Sequence, residues 1–207
     1  MQVFVDEQAY QPQGGPDQTL GQLAAEVGLA VPGKPRMLVS LCCDGQPVSQ
    51  DNLGAILDRP ASDFQKLELH TQPLVAMVRN ILAETIDLFD QADQARHKAA
   101  DLLAEGQTEA AMHQLQTFFG TWRHVQDAMI VCVQALGSDL DSLDINGKPL
   151  CEVFEPLRKL LADLKDAMLR QDYVVVGDIL RYEFDQPLKG WRALLNQLHE
   201  TAKTRDR

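Results

Sequence analysis

Two long apolar stripes recur at alternating steps of four and three, and such stripes commit a chain to packing helix on helix. From Leu74 the apolar or small residues fall at positions 74, 78, 81, 85, 88, 92, 95, 99 and 102. A second series, Ala111, Leu115, Phe118, Trp122, Val125, Met129, Cys132 and Leu136, has the same spacing. Alternating steps of this kind keep one side of a helix turned toward a partner.

Local signals set the ends of these helices. Pro73 stands where a missing N–H costs nothing, so the spacing predicts a helix over about 74–105, closed by Gly106. Thr108 is placed to cap a second helix over about 108–136. So short a link makes the two antiparallel neighbours. Leu150, Val153, Leu157, Leu160, Leu164 and Ala167 predict a third helix over about 149–170. A fourth follows over about 172–203, with Val176, Leu180, Phe184, Trp191, Leu194, Leu195 and Leu198 on its buried side. Pro187 is expected to kink it, having no N–H for the helix ladder. An offset of 65 aligns Gly106 with Gln171, Ala111 with Val176, Leu115 with Leu180 and Phe119 with Phe184, a weak internal likeness of the two hairpins.

Residues 1–72 follow another pattern. Met1–Val5 alternates like a strand, and Asp6-Glu7 can turn it back through Gln8–Tyr10. Gln11–Pro16 is loop, rich in Pro and Gly. Asp17-Gln18-Thr19 offers capping groups to a helix whose face is Leu20, Leu23, Ala24 and Val27 and whose end is Gly28. Pro32-Gly33-Lys34-Pro35 reads as a linker, Arg36–Cys43 as a strand, Asp44-Gly45 as a hairpin turn and Lys66–Thr71 as a last strand. The chain is therefore expected to be α+β, with a small N-terminal domain over 1–72 and an antiparallel four-helix bundle over 73–207.

The order strand, strand, helix, strand, short strand, strand resembles the β-grasp fold of ubiquitin-like and sulfur-carrier proteins. The opening MQVFVDEQAY, the Gly/Pro loop and the helix TLGQLAAEV are similar to the start of the small sulfur carriers of thiamine biosynthesis. Those carriers end in a Gly-Gly that becomes thiocarboxylated. Here the matching segment ends Leu69-His70-Thr71-Gln72-Pro73, and Gly14-Gly15 lies in an early loop. The resemblance therefore implies the fold and not the carrier chemistry.

Charge narrows the partners. The formal net charge is −11, spread over both parts of the chain. Phosphate backbones and anionic membranes both require a basic face, so neither nucleic acid nor membrane is expected. No run of 18 apolar residues occurs, and MQVFVDEQ has no basic start, so a cytoplasmic location is expected.

Motifs for chemistry are lacking. Cys42 and Cys43 are adjacent and should face opposite sides of a strand, Cys132 lies on an apolar stripe, and Cys151 opens a helix. No C-x-x-C, Glu-x-x-His, G-x-S-x-G, P-loop, dinucleotide fingerprint or H-E-x-x-H is present. Ser142–Gly147 has the look of a calcium loop, but Val153 stands where the bidentate glutamate belongs, so Asn146-Gly147 reads as a turn. His113 and His124 lie off their stripe and should face solvent or a groove. No catalytic residue, metal ligand or cofactor site is therefore named.

The most unusual local sequence is QDYVVVGDILRYEFD, residues 171–185. Asp178, Tyr182 and Asp185 fall on one side of a helix. Tyr173, Arg181 and Trp191 add large amphipathic groups of the kind that dominate interfaces. These six residues are the candidate partner-binding set. The expected function is a non-catalytic protein–protein interaction module, an adaptor or chaperone binding another protein or a second copy of itself. The acidic bundle with short hairpins resembles bacterial secretion and flagellar export chaperones. The alternative is a small-ligand-binding protein or enzyme, with a pocket between head and bundle near Tyr182 or Trp191.

Overall fold

In the computed structural model the described residues are 1–15, 17–30, 34–137, 144–145 and 148–205. The expected turn at Asn146-Gly147 and part of the linker at 32–35 lie outside them, as do the side chains of Leu150, Cys151 and Val153. The chain is α+β and forms two compact units, Met1–Met77 and Val78–Arg207.

The first unit is a mixed sheet with helices. Strands β1 (Gln2–Val5), β2 (Gln8–Tyr10), β3 (Arg36–Cys43), β4 (Gln46–Pro47) and β5 (Lys66–Pro73) lie in the order β2-β1-β5-β3-β4. β1 runs parallel to β5, with Val3 opposite Leu67; the other pairings are antiparallel. Two tight turns work as expected. Asp44 and Gly45 both adopt positive φ (51° and 79°), as do Asp6 and Glu7 (48° and 67°). The left-handed region is uncommon for non-glycine residues, and the Asp6 side chain compensates. Its carboxylate accepts from the Thr71 amide (2.7 Å), the Thr71 hydroxyl (2.8 Å) and Arg36 (2.9 Å). It thereby ties the β1–β2 turn to both neighbouring strands.

Helix α1 (Leu20–Gly28) carries a full capping box: the Thr19 hydroxyl accepts from the Gln22 amide and the Gln22 side chain from the Thr19 amide. Its stripe, Leu20, Leu23 and Val27, is buried on Val3, Leu41, Leu67 and Leu69 of the sheet. Gly28 is required where it stands, because a Cβ there would lie 2.7 Å from the Arg36 carbonyl. Cys43 is buried and Cys42 half-buried, as the strand alternation requires. A second helix, α2 (Gln50–Leu57), was not anticipated; its Leu53, Ile56 and Leu57 are partly buried against the same core.

The second unit is helical. α3 (Leu74–Ala104) and α4 (Thr108–Ala135) are joined through Gly106 at φ 76°. β6 (Asp144–Ile145) and β7 (Lys148–Pro149) pair before α5 (Leu150–Leu169), which carries Pro156 on its exposed side. Gln171, at φ 57°, then closes α5 as Gly106 closes α3. In each case the left-handed residue donates to the carbonyl three back and its successor to the carbonyl five back, the pattern of a helix stop.

The last helical stretch is not the single kinked helix expected. α6 (Tyr173–Asp178) passes into a π-helical turn at Ile179–Glu183, and α7 (Asp185–Arg205) follows. Pro187 sits buried in the first turn of α7, where its missing N–H is tolerated. The ladder breaks upstream of it: Pro187 cannot donate to the Glu183 carbonyl, and the wide turn absorbs the mismatch.

The buried stripe of α4 is the predicted one, Ala111 through Cys132. That of α3 is partly rotated. It keeps the predicted Val78, Thr85, Ala92, Ala95 and Ala99 but takes in Leu82, Phe89, Arg96 and Ala100, so Ile81 and Leu88 are only half-buried. Phe89, Phe118, Trp122, Phe184 and Trp191 meet in one aromatic cluster. The Trp122 and Trp191 rings are 4.8 Å apart, edge to face, and Phe118 meets Phe184 at 5.6 Å.

Candidate interaction site

The rotated stripe of α3 puts an arginine into the core. The Arg96 side chain is 1 % exposed. A buried guanidinium is tolerated only when its N–H groups find acceptors, and here they do. Nε donates to Asp93 (2.8 Å), Nη2 to Asp185 (2.8 Å) and to the His97 ring (2.7 Å), and Nη1 to the Leu180 carbonyl. Leu180 belongs to the π-helical turn, so the guanidinium ties α3 directly to that turn. The arginine and the irregular turn are thus complementary.

Two further arginines repeat the theme along the antiparallel seam between α3 and the α6–α7 stretch. Arg181 donates to Asp101 at one end. Arg192 donates to Asp90 at the other and lies over the Phe89 ring, 5.0 Å from its centroid. Two small clefts flank this ladder. One of about 270 Å³ has Arg96 and Asp185 among its walls, with Phe89, His97, Lys189 and Arg192. The other, about 170 Å³, is lined by Tyr173, Asp178 and Arg181 with Leu103 and Gly177.

The six sequence-selected residues are therefore divided. Tyr173, Asp178 and Arg181 come together at the smaller cleft, and Asp185 belongs to the Arg96 cluster. Tyr182 projects into solvent, 67 % exposed. Trp191 is 4 % exposed and belongs to the aromatic cluster, so its role in this geometry is packing. The seam holds charge against charge and presents no nucleophile beside a base. Among the described residues no group of three or more His, Cys, Asp or Glu is placed to hold a metal ion. His113 and His124 face solvent. The Cys132 thiol is pushed up to about 11 by burial, far from a reactive thiolate.

An apolar groove is the feature that sequence reasoning missed. It has a volume of about 480 Å³ and lies between α4 and α5, lined by Phe119, Leu161, Leu164, Met168 and Leu169, with Lys165 at its edge. Leu169 is 72 % exposed, and Val174, just beyond it in the chain, 76 %. Phe119, Leu161 and Met168 are half-buried. They escape notice in the sequence because each stands next to a stronger stripe residue: Phe119 beside Phe118, Leu161 beside Leu160. A larger depression, about 920 Å³, lies over the α3–α4 connection from Gly106 to Gln116 and is walled by that one stretch alone.

No helix among the described residues is long and apolar enough to cross a membrane. Residues 80–194 match the model of a domain of unknown function, DUF8042. No curated protein and no solved structure matches the chain.

Proposed function

Since the chain belongs to the DUF8042 family, whose function is unknown, we propose from the geometry that it is a non-catalytic protein-binding module, a β-grasp-like head followed by a four-helix bundle that acts as an adaptor or chaperone. The head reading is supported by the strand order β2-β1-β5-β3-β4, the parallel central pair and α1 packed on the sheet. The bundle reading is supported by α3, α4, α5 and the composite α6–α7, whose aromatic cluster draws on α3, α4, α7 and the turn before it.

The observation that carries the functional reading is the uncovered groove. Five of its six lining residues are apolar, and helical proteins commonly receive partner helices in such grooves. The polar seam favours a ligand or an active site less, because its arginines are already spent on Asp90, Asp93, Asp101 and Asp185. Tyr173, Asp178, Arg181 and Asp185 lie on the seam with α3, and Tyr182 is exposed on the same stretch; a second contact with the partner would form there. The partner is another protein in the cytoplasm, not nucleic acid or membrane. Affinity purification from native cells, with mass spectrometry of proteins and small molecules, tests this. A stoichiometric protein partner is expected; a co-purifying metabolite or metal with no protein would overturn it.

A further inference from the structure

The charges around the α4–α5 groove specify what it would hold. On a helical wheel of 100° per residue, the side of α4 that bears Phe119 also bears Met112, Gln116, Arg123, Gln126 and Ile130. The side of α5 that bears Leu161, Lys165 and Leu169 also bears Arg158. Within a turn of the lining residues, every charged residue on the two groove-facing sides is thus a cation: Arg123, Arg158 and Lys165, all exposed. Asp163 and Asp166 fall on the far flank of α5, while Glu109 and Asp127 lie about 80° round α4 from Phe119 and two turns or more along it. Only Glu155 reaches round, to bind Arg158 at 2.7 Å. An apolar channel with basic edges stands out on a chain whose net charge is −11.

Resting on the protein-binding reading above, we infer that this groove takes an amphipathic helix whose apolar stripe is flanked by aspartate or glutamate. Met168 suits such an occupant, since an unbranched thioether repacks around a partner's side chains. The basic edges select the sign of the flanking charge and set orientation. A second copy of this chain docked groove to groove is disfavoured, because it would bring Arg123, Arg158 and Lys165 against their own equivalents.

Two labelled 18-residue peptides test this on the full-length protein by fluorescence anisotropy. Both carry leucine at i, i+4, i+7 and i+11, one with glutamate flanks and one with lysine flanks. General attraction to a chain of charge −11 favours the lysine peptide; the groove favours the glutamate peptide. We expect the glutamate peptide to bind about tenfold tighter, and the charge-reversed variant R123E/R158E/K165E to invert the preference. These three side chains are exposed, so the variant folds; Met168→Lys, in the groove itself, should abolish binding of the glutamate peptide. Equal affinity, or preference for the lysine peptide, would overturn the inference. So would a groove that binds neither. If affinity purification still recovers a partner that Met168→Lys retains, the protein-binding reading survives and the groove assignment alone fails. Light scattering showing a dimer that Met168→Lys dissolves would also overturn it, in favour of self-association.

Discussion

Replacing Arg96 by methionine removes the one buried charge among the described residues of the helical unit while keeping most of the side chain's volume. The loss has two parts. The Leu180 carbonyl, buried in the π-helical turn, is left without its donor, which costs about 1–3 kcal/mol. Asp93 and Asp185 lose a partner, but their side chains are 28 % and 49 % exposed and rehydrate, so their share is about 1 kcal/mol after solvent screening. The sum is about 3 kcal/mol, roughly 10 °C in the midpoint of a unit this size. Lysine should rescue little of it, because one ammonium cannot reproduce the planar fork that reaches a carbonyl and two carboxylates. Intrinsic fluorescence isolates the effect. Both tryptophans of the chain, Trp122 and Trp191, lie in the helical unit, 4.8 Å apart, so urea unfolding followed by tryptophan emission reports that unit alone. A loss under about 1 kcal/mol for Arg96→Met would refute the buried network, since the carbonyl would then have another donor or water.

Other consequences are as direct. Partial burial opposes ionisation of Asp6, but the Thr71 amide and hydroxyl and Arg36 outweigh it and hold its carboxyl below the ordinary 3.8. Glu26 is likewise held below 4.5, burial being overcome by the Gln13 amide, the Tyr10 hydroxyl and the Gly14 amide. Depressed carboxyls stabilise the fold fully above their unfolded values and lose that contribution as pH falls through the folded ones. Amide protection in β1 and β5, measured relative to the intrinsic exchange rate at each pH, should therefore fall below about pH 4, and Asp6→Asn should flatten that dependence. The Cys132 thiol, pushed up to about 11 by burial, should resist iodoacetamide at pH 8 in the native state while half-buried Cys42 is alkylated, as read by peptide mass spectrometry. Gln171→Gly should raise the unfolding free energy by about 1 kcal/mol, read as a higher urea midpoint, because glycine takes the left-handed φ of 57° without strain.

The parts legible from sequence were those fixed by local signals. The capping residues before Leu20, the Asp44-Gly45 turn, the strand at Arg36–Cys43 and the stripe of α4 each depend on neighbours within a few residues. The α3 stripe held at Val78, Thr85, Ala92, Ala95 and Ala99 but slipped by one at Ile81 and Leu88, because Ile81-Leu82 and Leu88-Phe89 offer two apolar registers, and nothing local marks Arg96 as a core residue beside Ala95. What decides in favour of Arg96 lies 84 and 89 residues away, in the Leu180 carbonyl and the Asp185 carboxylate. Pro187 announces a break, but the π-helical turn falls one turn upstream of it, where no residue of the local sequence marks it. Helix α2 was lost because Gly54 and a polar start dilute its short apolar pattern. The candidate residues at 173–191 were chosen for side-chain type alone; burial then took Trp191 into the core and left Tyr182 outside. The groove needs two helices to exist, so no single stripe could reveal it.

A photocrosslinking residue in place of Leu169, compared in cells with the same residue in place of exposed Lys98 on α3, puts the binding account to the test most directly. Leu169 is predicted to give one discrete protein adduct that Lys98 does not. No adduct from Leu169, or the same adducts from both positions, would contradict it.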